Sequence, residues 1–268
     1  MTLAVCATPI GNLEDVTLRV LAELREADLV LAEDTRRTRI LLERHAIEAR
    51  LLSFHEHNEE ARVAELVPRL VAGERFALVT DAGMPGISDP GTRLVRAALD
   101  AGVEVHVLPG PSAVETALVA SGLGGGGYMF VGFLPRRAAE RDALWRSLEG
   151  TTLPVVAFES AQRLPAALRS LAAVYPGRPV AVARELTKRF EEVVRGTAAE
   201  LAARFSEPPK GEIVVVVSAA EGVREEGVED ALAAVVRLVE GGTPRGLAAD
   251  VVSALTGTSR NTLYRRSL

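Results

Sequence analysis

The run Thr80-Asp-Ala-Gly-Met-Pro-Gly-Ile-Ser-Asp-Pro-Gly91 has the composition of a ligand loop. Gly83, Gly86 and Gly91 let the backbone come close to a small molecule, and Pro85 and Pro90 fix the path of the chain. Neither G-x-G-x-x-G nor G-x-x-x-x-G-K-[ST] occurs in it, so a phosphate cradle is not the chemistry it points to. Asp81 and Asp89 would repel a pyrophosphate. They suit a ligand carrying an ammonium, a sulfonium or ribose hydroxyls. The purely structural alternative is a rigid connecting loop.

Four shorter clusters carry further polar chemistry. Thr8-Pro-Ile-Gly-Asn12 follows an apolar run and taken alone reads as a turn. Glu33-Asp-Thr-Arg-Arg-Thr-Arg39 puts Arg36 and Arg39 one helical turn apart, where both can face one anion or both can lie on a solvated helix start. Ser53-Phe-His-Glu-His-Asn58 offers His55, Glu56 and His57, but an i, i+2 pair shares a face only in a strand and no third strong ligand is near. No metal site is expected. Arg184-Glu-Leu-Thr-Lys188 contains one of only two lysines among 31 basic residues, the other being Lys210. A lysine kept in an arginine-rich chain reflects either base composition or a place that needs a compact ammonium.

These clusters need a frame, and hydropathy patterning supplies one. Leu3–Ala7, Asp28–Ala32, Phe76–Val79 and Val103–Leu108 read as buried strands, and Thr17–Glu26, Thr35–Arg44, Glu59–Val71 and Gly91–Ala101 as amphipathic helices between them. Ser112-Ala-Val-Glu115 has the pattern of a capping box opening a helix after Pro109-Gly-Pro111. Beyond Gly124–Gly127, which reads as a linker, Tyr128–Phe133, Leu153–Phe158, Pro179–Ala183, Glu191–Val194 and Glu212–Val217 are expected as strands. Ala161–Ala173 and Thr197–Phe205 are expected as helices, the second opened by the capping box Thr197-Ala-Ala-Glu200. Val228–Glu240, Pro244–Leu255 and Ser259–Arg266 read as three short helices. The alternation predicts an α/β fold with mostly parallel sheet, in two domains over residues 1–123 and 128–220, and a small helical segment over 228–268. In such a sheet the loop 80–91 lies at the carboxyl ends of the strands, where ligands bind.

Composition narrows the function classes. Hydrophobic residues at 48% and charged residues at 25% are ordinary for a globular chain and argue against wholesale disorder. A single cysteine, Cys6, excludes an intramolecular disulfide and a cysteine-based metal site. No run approaches the roughly 20 apolar residues of a membrane span, and Met1–Gly11 lacks a basic leader, so a cytoplasmic protein without a membrane partner is expected. The net charge of −5 does not announce a nucleic-acid partner, although a local basic patch can serve on an acidic protein.

Eight segments together resemble one family. They are ATPIGNLEDVTLR (7–19), AEDTRRTRILL (32–42), SFHEHNE (53–59), TDAGMPGISDPG (80–91), LPGPSA (108–113), FVGFLPR (130–136), FES (158–160) and ARELTKRFEEVVRG (183–196). The chain resembles the ribosomal RNA small-subunit methyltransferase I family, whose members methylate the ribose 2′-oxygen of a cytidine in 16S rRNA. The likeness runs in order along the whole chain. It implies the two-domain fold of the tetrapyrrole methylases, the class III S-adenosylmethionine methyltransferases, with the cofactor in the cleft between the domains. It also implies a homodimer. Two positions depart from the pattern: Met84 stands where tetrapyrrole-acting relatives carry Asp and the ribosomal family more often Thr, and Gln162 where the family usually has His.

The resemblance distributes roles over this sequence. S-adenosylmethionine is expected on Pro9, Asp81, Ala82, Gly83, Ile87, Ser88, Ser112, Ala113, Phe133 and Ser160. Arg36, Arg37, Arg39, Arg136 and Arg137 are the expected phosphate contacts to 16S rRNA of the small ribosomal subunit. A ribose hydroxyl is a poor nucleophile until it shares its proton, so catalytic candidates are Glu33, Asp34, Glu185 and Lys188, with Lys188 favoured as proton acceptor or as the charge that steadies a developing alkoxide. Leu247–Tyr264 is either an RNA-docking module or a lid on the core.

Overall fold

The computed structural model describes residues 2–220 and 225–267. The first sheet is built from β1 (Thr2–Cys6), β2 (Leu29–Ala32), β3 (Leu51–Ser53), β4 (Arg75–Val79) and β5 (Glu104–Leu108), all parallel, in the order β3-β2-β4-β1-β5. Central strands such as Leu-Val-Leu-Ala32 are apolar on both faces because helices cover both. Helices α1 (Leu18–Glu26) and α2 (Thr35–Arg44) bury Val20, Leu21, Leu24 and Leu42 against Ala4, Val30 and Ala77 on one face. On the other, α3 (Glu59–Val71) and α4 (Thr92–Asp100) bury Leu66, Leu70 and Leu94 against Leu3, Leu31 and Phe76. Each such side chain taken from water contributes roughly 1.5–3 kcal/mol. Cys6 lies in this core, and burial pushes its thiol up to about 12, so it is an inert packing group.

The second sheet departs from the parallel expectation. Strands β6 (Met129–Phe133), β7 (Val155–Ser160), β8 (Pro179–Arg184), β9 (Glu192–Thr197) and β10 (Glu212–Val217) run in the order β6-β7-β10-β8-β9. Only β6 and β7 are parallel neighbours; β10 is antiparallel to both β7 and β8, and β9 is antiparallel to β8. The connection from β8 to β9 is too short for a helical crossover, which forces the chain to turn straight back. Helices α6 (Ala138–Ser147), α7 (Leu164–Val174) and α8 (Ala198–Arg204) cover one face through Trp145, Leu168 and Leu201. The opposite face is covered by α5 (Ala113–Ser121), which follows the first sheet in the chain yet packs Val114, Ala117 and Leu118 on Val156, Ala181 and Val216.

The strand β3 and the helix α6 have no counterpart in the sequence reading. The first has three half-buried residues, and the second carries too few apolar positions for a helical stripe. The capping box at Thr197 forms as expected, with Thr197 Oγ1 accepting from the Glu200 N–H and the Glu200 carboxylate accepting from the Thr197 N–H. The one at Ser112 does not form: the Ser112 hydroxyl donates to the Glu115 carboxylate, which also accepts from the Tyr128 hydroxyl, and the serine oxygen accepts no N–H of the helix. At the carboxyl end, α9 (Glu225–Glu240), α10 (Arg245–Thr256) and α11 (Arg260–Arg266) bury Val235, Ala249, Val252 and Leu263 among themselves. No helix among the described residues is long and apolar enough to cross a membrane.

Candidate active site

The carboxyl ends of β1, β2 and β4 meet the ends of β6, β7 and β8 across a cleft. Because β10 runs antiparallel, its first residue, Glu212, stands at this same end, opposite Ser160 on β7. Two cavities occupy the cleft, one of about 470 Å³ and one of about 270 Å³.

The larger is bounded by the loop 80–91 and the second sheet. Reciprocal backbone hydrogen bonds between Thr8 and Gly83, at 2.9 and 3.0 Å, hold the loop to the end of β1. Thr8 Oγ1 adds a bond to the Thr80 carbonyl at 3.0 Å. The far end of the loop is pinned by the buried Glu59, whose carboxylate accepts the Gly91 N–H at 3.0 Å. Of the residues expected at the cofactor, Asp81, Ala82, Gly83, Ile87, Ser88, Ser112, Ala113, Phe133 and Ser160 all line this cavity, while Pro9 lines the smaller one. Met84 lines the larger cavity and, half-buried, also packs against the core of the first sheet. Asp89, paired with Asp81 in the sequence reading of the loop, also lines it, as do Ile10, Phe158, Leu186 and Glu212, which were not singled out for the site.

The cavity is negative at its polar end. Burial pushes the Glu33 carboxyl above its ordinary range, opposed by a hydrogen bond from the Asp81 N–H and reinforced by the Asp81 charge. Burial also pushes Asp89 up to about 7, with the Glu33 and Asp81 carboxylates adding to it. Asp81 braces the neighbouring turn by accepting the Asp34 N–H at 3.1 Å and pairing with Arg37 at 3.4 Å. Opposite, Ile87, Phe133, Ala113 and Val114 supply apolar wall. Such a lining fits a cation attached to a flat, partly apolar body.

Asp34 serves a different end from the one expected of it. Its carboxylate caps α2, accepts from the Arg36 N–H and grips the Arg36 guanidinium with both oxygens, and those bonds hold it down at about 2. It is a poor proton acceptor. Arg37 reaches both cavities, whereas Arg36, Arg39, Arg136 and Arg137 lie exposed outside them. Arg36 and Arg39 stand on the first turns of α2; Arg136 and Arg137 follow Phe133 on the opposite bank. His55 and His57 form no metal group, and none is present among the described residues.

The segment Glu185–Lys188 is held in a costly backbone conformation. Glu185 and Thr187 have φ of 52° and 64°, rare for residues other than glycine and for a β-branched residue most of all. Glycines make the shape possible: a Cβ on Gly11 would stand 2.5 Å from Lys188 Cγ, and one on Gly211 would stand 2.4 Å from Glu185 Cγ. Thr187 Oγ1 accepts the Asn12 N–H at 3.0 Å, joining this segment to the first sheet. Lys188 Nζ lies 3.0 Å from Glu185 Oε1 and 2.9 Å from Glu212 Oε2. Burial alone would lower its ammonium, but the hydrogen bonds it donates to Glu212 and Glu185 outweigh burial and hold it above the usual lysine range. Lys188 is therefore a fixed positive charge. Glu185 is held low, first by the Glu212 N–H and then by Lys188.

Comparisons with known proteins agree on the frame. The family model for tetrapyrrole (corrin/porphyrin) methylases matches residues 2–202. A ribosomal RNA small subunit methyltransferase I of Thermotoga maritima is 47% identical over 82% of this chain and 99% of its own length. One of Mesorhizobium japonicum is 42% identical over 98% of this chain and 90% of its own. Among solved structures, a uroporphyrin-III-C-methyltransferase from Thermus thermophilus superposes with a TM-score of 0.59 at 22% identity, over 84% of this chain and 97% of that one. A Thermus thermophilus structure of that activity complexed with S-adenyl homocysteine gives 0.57 at 18% identity, over 81% and 97%. At those identities the structural likeness speaks for the fold.

The raised Asp89 carboxyl has a measurable consequence. A group that holds its proton to about pH 7 when folded, but to the ordinary 3.8 when unfolded, costs stability as pH rises between those values, and the full cost is present above 7. Asp89→Asn should therefore raise the melting temperature of the ligand-free protein at pH 8, with the advantage shrinking toward pH 4. Thermal unfolding across that range checks it; a margin independent of pH would contradict it.

Proposed function

We propose that this chain, which belongs to the ribosomal RNA small subunit methyltransferase I family of the tetrapyrrole methylases, transfers a methyl group from S-adenosylmethionine to the ribose 2′-oxygen of a cytidine in 16S rRNA of the small ribosomal subunit. One observation carries the reading beyond the family name: the sign of charge inverts across the lip of the cleft. Inside, Glu33, Asp81, Asp89, Glu159 and Glu212 outnumber Arg37 among the ionisable groups of the lining and suit a sulfonium and an ammonium. At the lip Arg37 pairs with Asp81, and outside it Arg36 and Arg39 on α2 and Arg136 and Arg137 on the facing bank suit a polyanion. An acidic chain can hold RNA in this way without a basic surface overall.

Bound in the larger cavity, S-adenosylmethionine supplies an electrophilic methyl group. The chain's own residues do the rest. The pinned loop 80–91 and the wall of Ile87 and Phe133 fix where the reacting carbon sits, and alignment of this kind lowers a barrier by several kcal/mol, up to roughly 7–11. Lys188, charged at neutral pH, donates to the oxygen on which negative charge develops and does not take a proton from it. The target cytidine is single-stranded or extruded from its stack, which frees its ribose to enter the cleft. The reaction takes place on ribosomal particles in the cytoplasm. A porphyrinoid acceptor is the second reading, favoured only by the fold neighbours.

Radiolabelled S-adenosylmethionine offered with small ribosomal subunits or with a porphyrinoid separates the two. Label is expected in RNA, on a cytidine whose 3′-phosphodiester resists alkali because its 2′-oxygen is blocked. Label in the porphyrinoid instead would sink the reading. Lys188→Met should keep both ligands and lose turnover, since a contact made only in the transition state shows in the rate. A full single-turnover rate would remove Lys188 from the mechanism.

Arg37→Ala, Arg36→Ala and Arg39→Ala should each weaken RNA binding and lower the slope of log affinity against log salt by roughly 0.7–0.9. Titration at three salt concentrations reads both. Unchanged slopes would return these side chains to a solvated helix face.

A two-fold symmetric homodimer completes the proposal. Supporting it, β5 is an edge strand with Val107 exposed, and Val119 on α5 is 80% exposed. Light scattering at micromolar concentration should give twice the chain mass; a monomer would refute it.

A further inference from the structure

The smaller cavity has no assignment in the reading above, yet it holds Lys188. It shares Ile10, Arg37, Asp81, Ala82 and Glu212 with the larger cavity, so the two are neighbours across one wall. Lys188 lines the smaller one alone. Its sides are Leu13, Ile40 and Leu41, and its floor includes Thr80, whose buried hydroxyl has no hydrogen-bond partner among the described residues. A buried, unanswered hydroxyl beside apolar walls and a fixed ammonium is a setting for a neutral, hydrogen-bonding body with one reacting oxygen.

We propose, building on the methyltransferase reading, that the smaller cavity takes the acceptor nucleoside and that Glu212 is the carboxylate that receives its 2′-hydroxyl proton. The other carboxylates are committed elsewhere. Asp34 is spent on Arg36 and on capping α2. Asp81 holds Arg37 and the Asp34 N–H. Glu185 Oε1 accepts from both Lys188 and the Glu212 N–H. Glu33, Asp89 and Glu159 line only the larger cavity. Glu212 touches both cavities, is 63% exposed, and engages Lys188 through Oε2, leaving Oε1 without a hydrogen bond among the described residues.

The division of labour follows from charge. Lys188 and Glu185 face Glu212 from its own sheet, and Arg37 and Asp81 from across the shared wall. Lys188 donates to the acceptor oxygen while Glu212 accepts the proton. The O–C bond forms as the C–S bond of the sulfonium breaks, its electron pair staying on sulfur. The thioether product is neutral, and the proton passes from Glu212 to water.

The test uses the full-length protein, small-subunit RNA and single-turnover methylation. Glu212→Gln keeps an oxygen for Lys188 but cannot take a proton, so the rate should fall by about 100-fold or more while calorimetric binding of S-adenosylmethionine and RNA affinity hold. Glu212→Asp should recover part of the rate, and the acidic limb of the wild-type pH–rate profile should vanish in Glu212→Gln. Ile40→Trp, a change at an exposed wall position, should weaken RNA binding by the free protein and leave cofactor heats intact. Wild-type ribose labelling combined with an undiminished Glu212→Gln rate, or with unaltered RNA affinity in Ile40→Trp, would overturn this assignment alone. Absence of ribose labelling by the wild type would overturn the assignment together with the function on which it rests.

Discussion

The close approach at Gly11 is the contact on which the rest of the cleft depends. Backbone from the first sheet passes so near the Glu185–Lys188 segment that a single methyl group would collide with Lys188, Thr187 and the Leu186 carbonyl at once. Segments that meet without side chains between them have little freedom to drift. That rigidity sustains positive φ at Glu185 and Thr187, a conformation costing of order 1–3 kcal/mol per residue. Strain of this kind persists only where the surroundings over-determine it, and here the Asn12–Thr187 hydrogen bond and the Gly211 approach complete the enclosure. Its product is an ammonium fixed between two carboxylates.

Around that point the electrostatics are arranged in zones. Carboxylates are concentrated in the larger cavity, where burial raises Glu33 and Asp89 and makes them sensitive to what binds beside them. Cations occupy the rim. The first turn of α2 contributes to both zones, because Asp34 anchors Arg36 at the surface while the next residue, Arg37, leans inward to Asp81. A single helix start thus carries a carboxylate-rich lining on one side and exposed guanidiniums on the other.

The loop 80–91, the arginine cluster and the Arg184–Lys188 segment were legible in the sequence because each sits at the end of an apolar run, and the structure brings all three to one cleft. Glu212 was not legible, for a topological reason. In a parallel sheet the first residue of a strand lies at the far end from the ligand, so Glu212, as the opening residue of the expected strand Glu212–Val217, carries no sign of a place at the site. The antiparallel insertion of β10 between β7 and β8 reverses that strand and delivers its leading residue to the cleft. Ser112 misled in the other direction. Its spacing to Glu115 matches a cap, but Tyr128, thirteen residues on, competes for the same carboxylate and the hydroxyl follows it. Local pattern reads local structure well; a side chain with a distant partner escapes it.

Helix α5 joins the two halves in a way the chain order conceals. It is the segment that leaves β5, yet the surface it buries belongs to the second sheet, through Val114, Ala117 and Leu118. Each half therefore lacks part of its own covering: cut after residue 123, the leading piece would carry an uncovered greasy helix, and the trailing piece would expose Val156, Ala181, Val214 and Val216 to water. The covering of the second sheet is thus supplied by the stretch of chain that completes the first, and the two sheets share one helix as a common part.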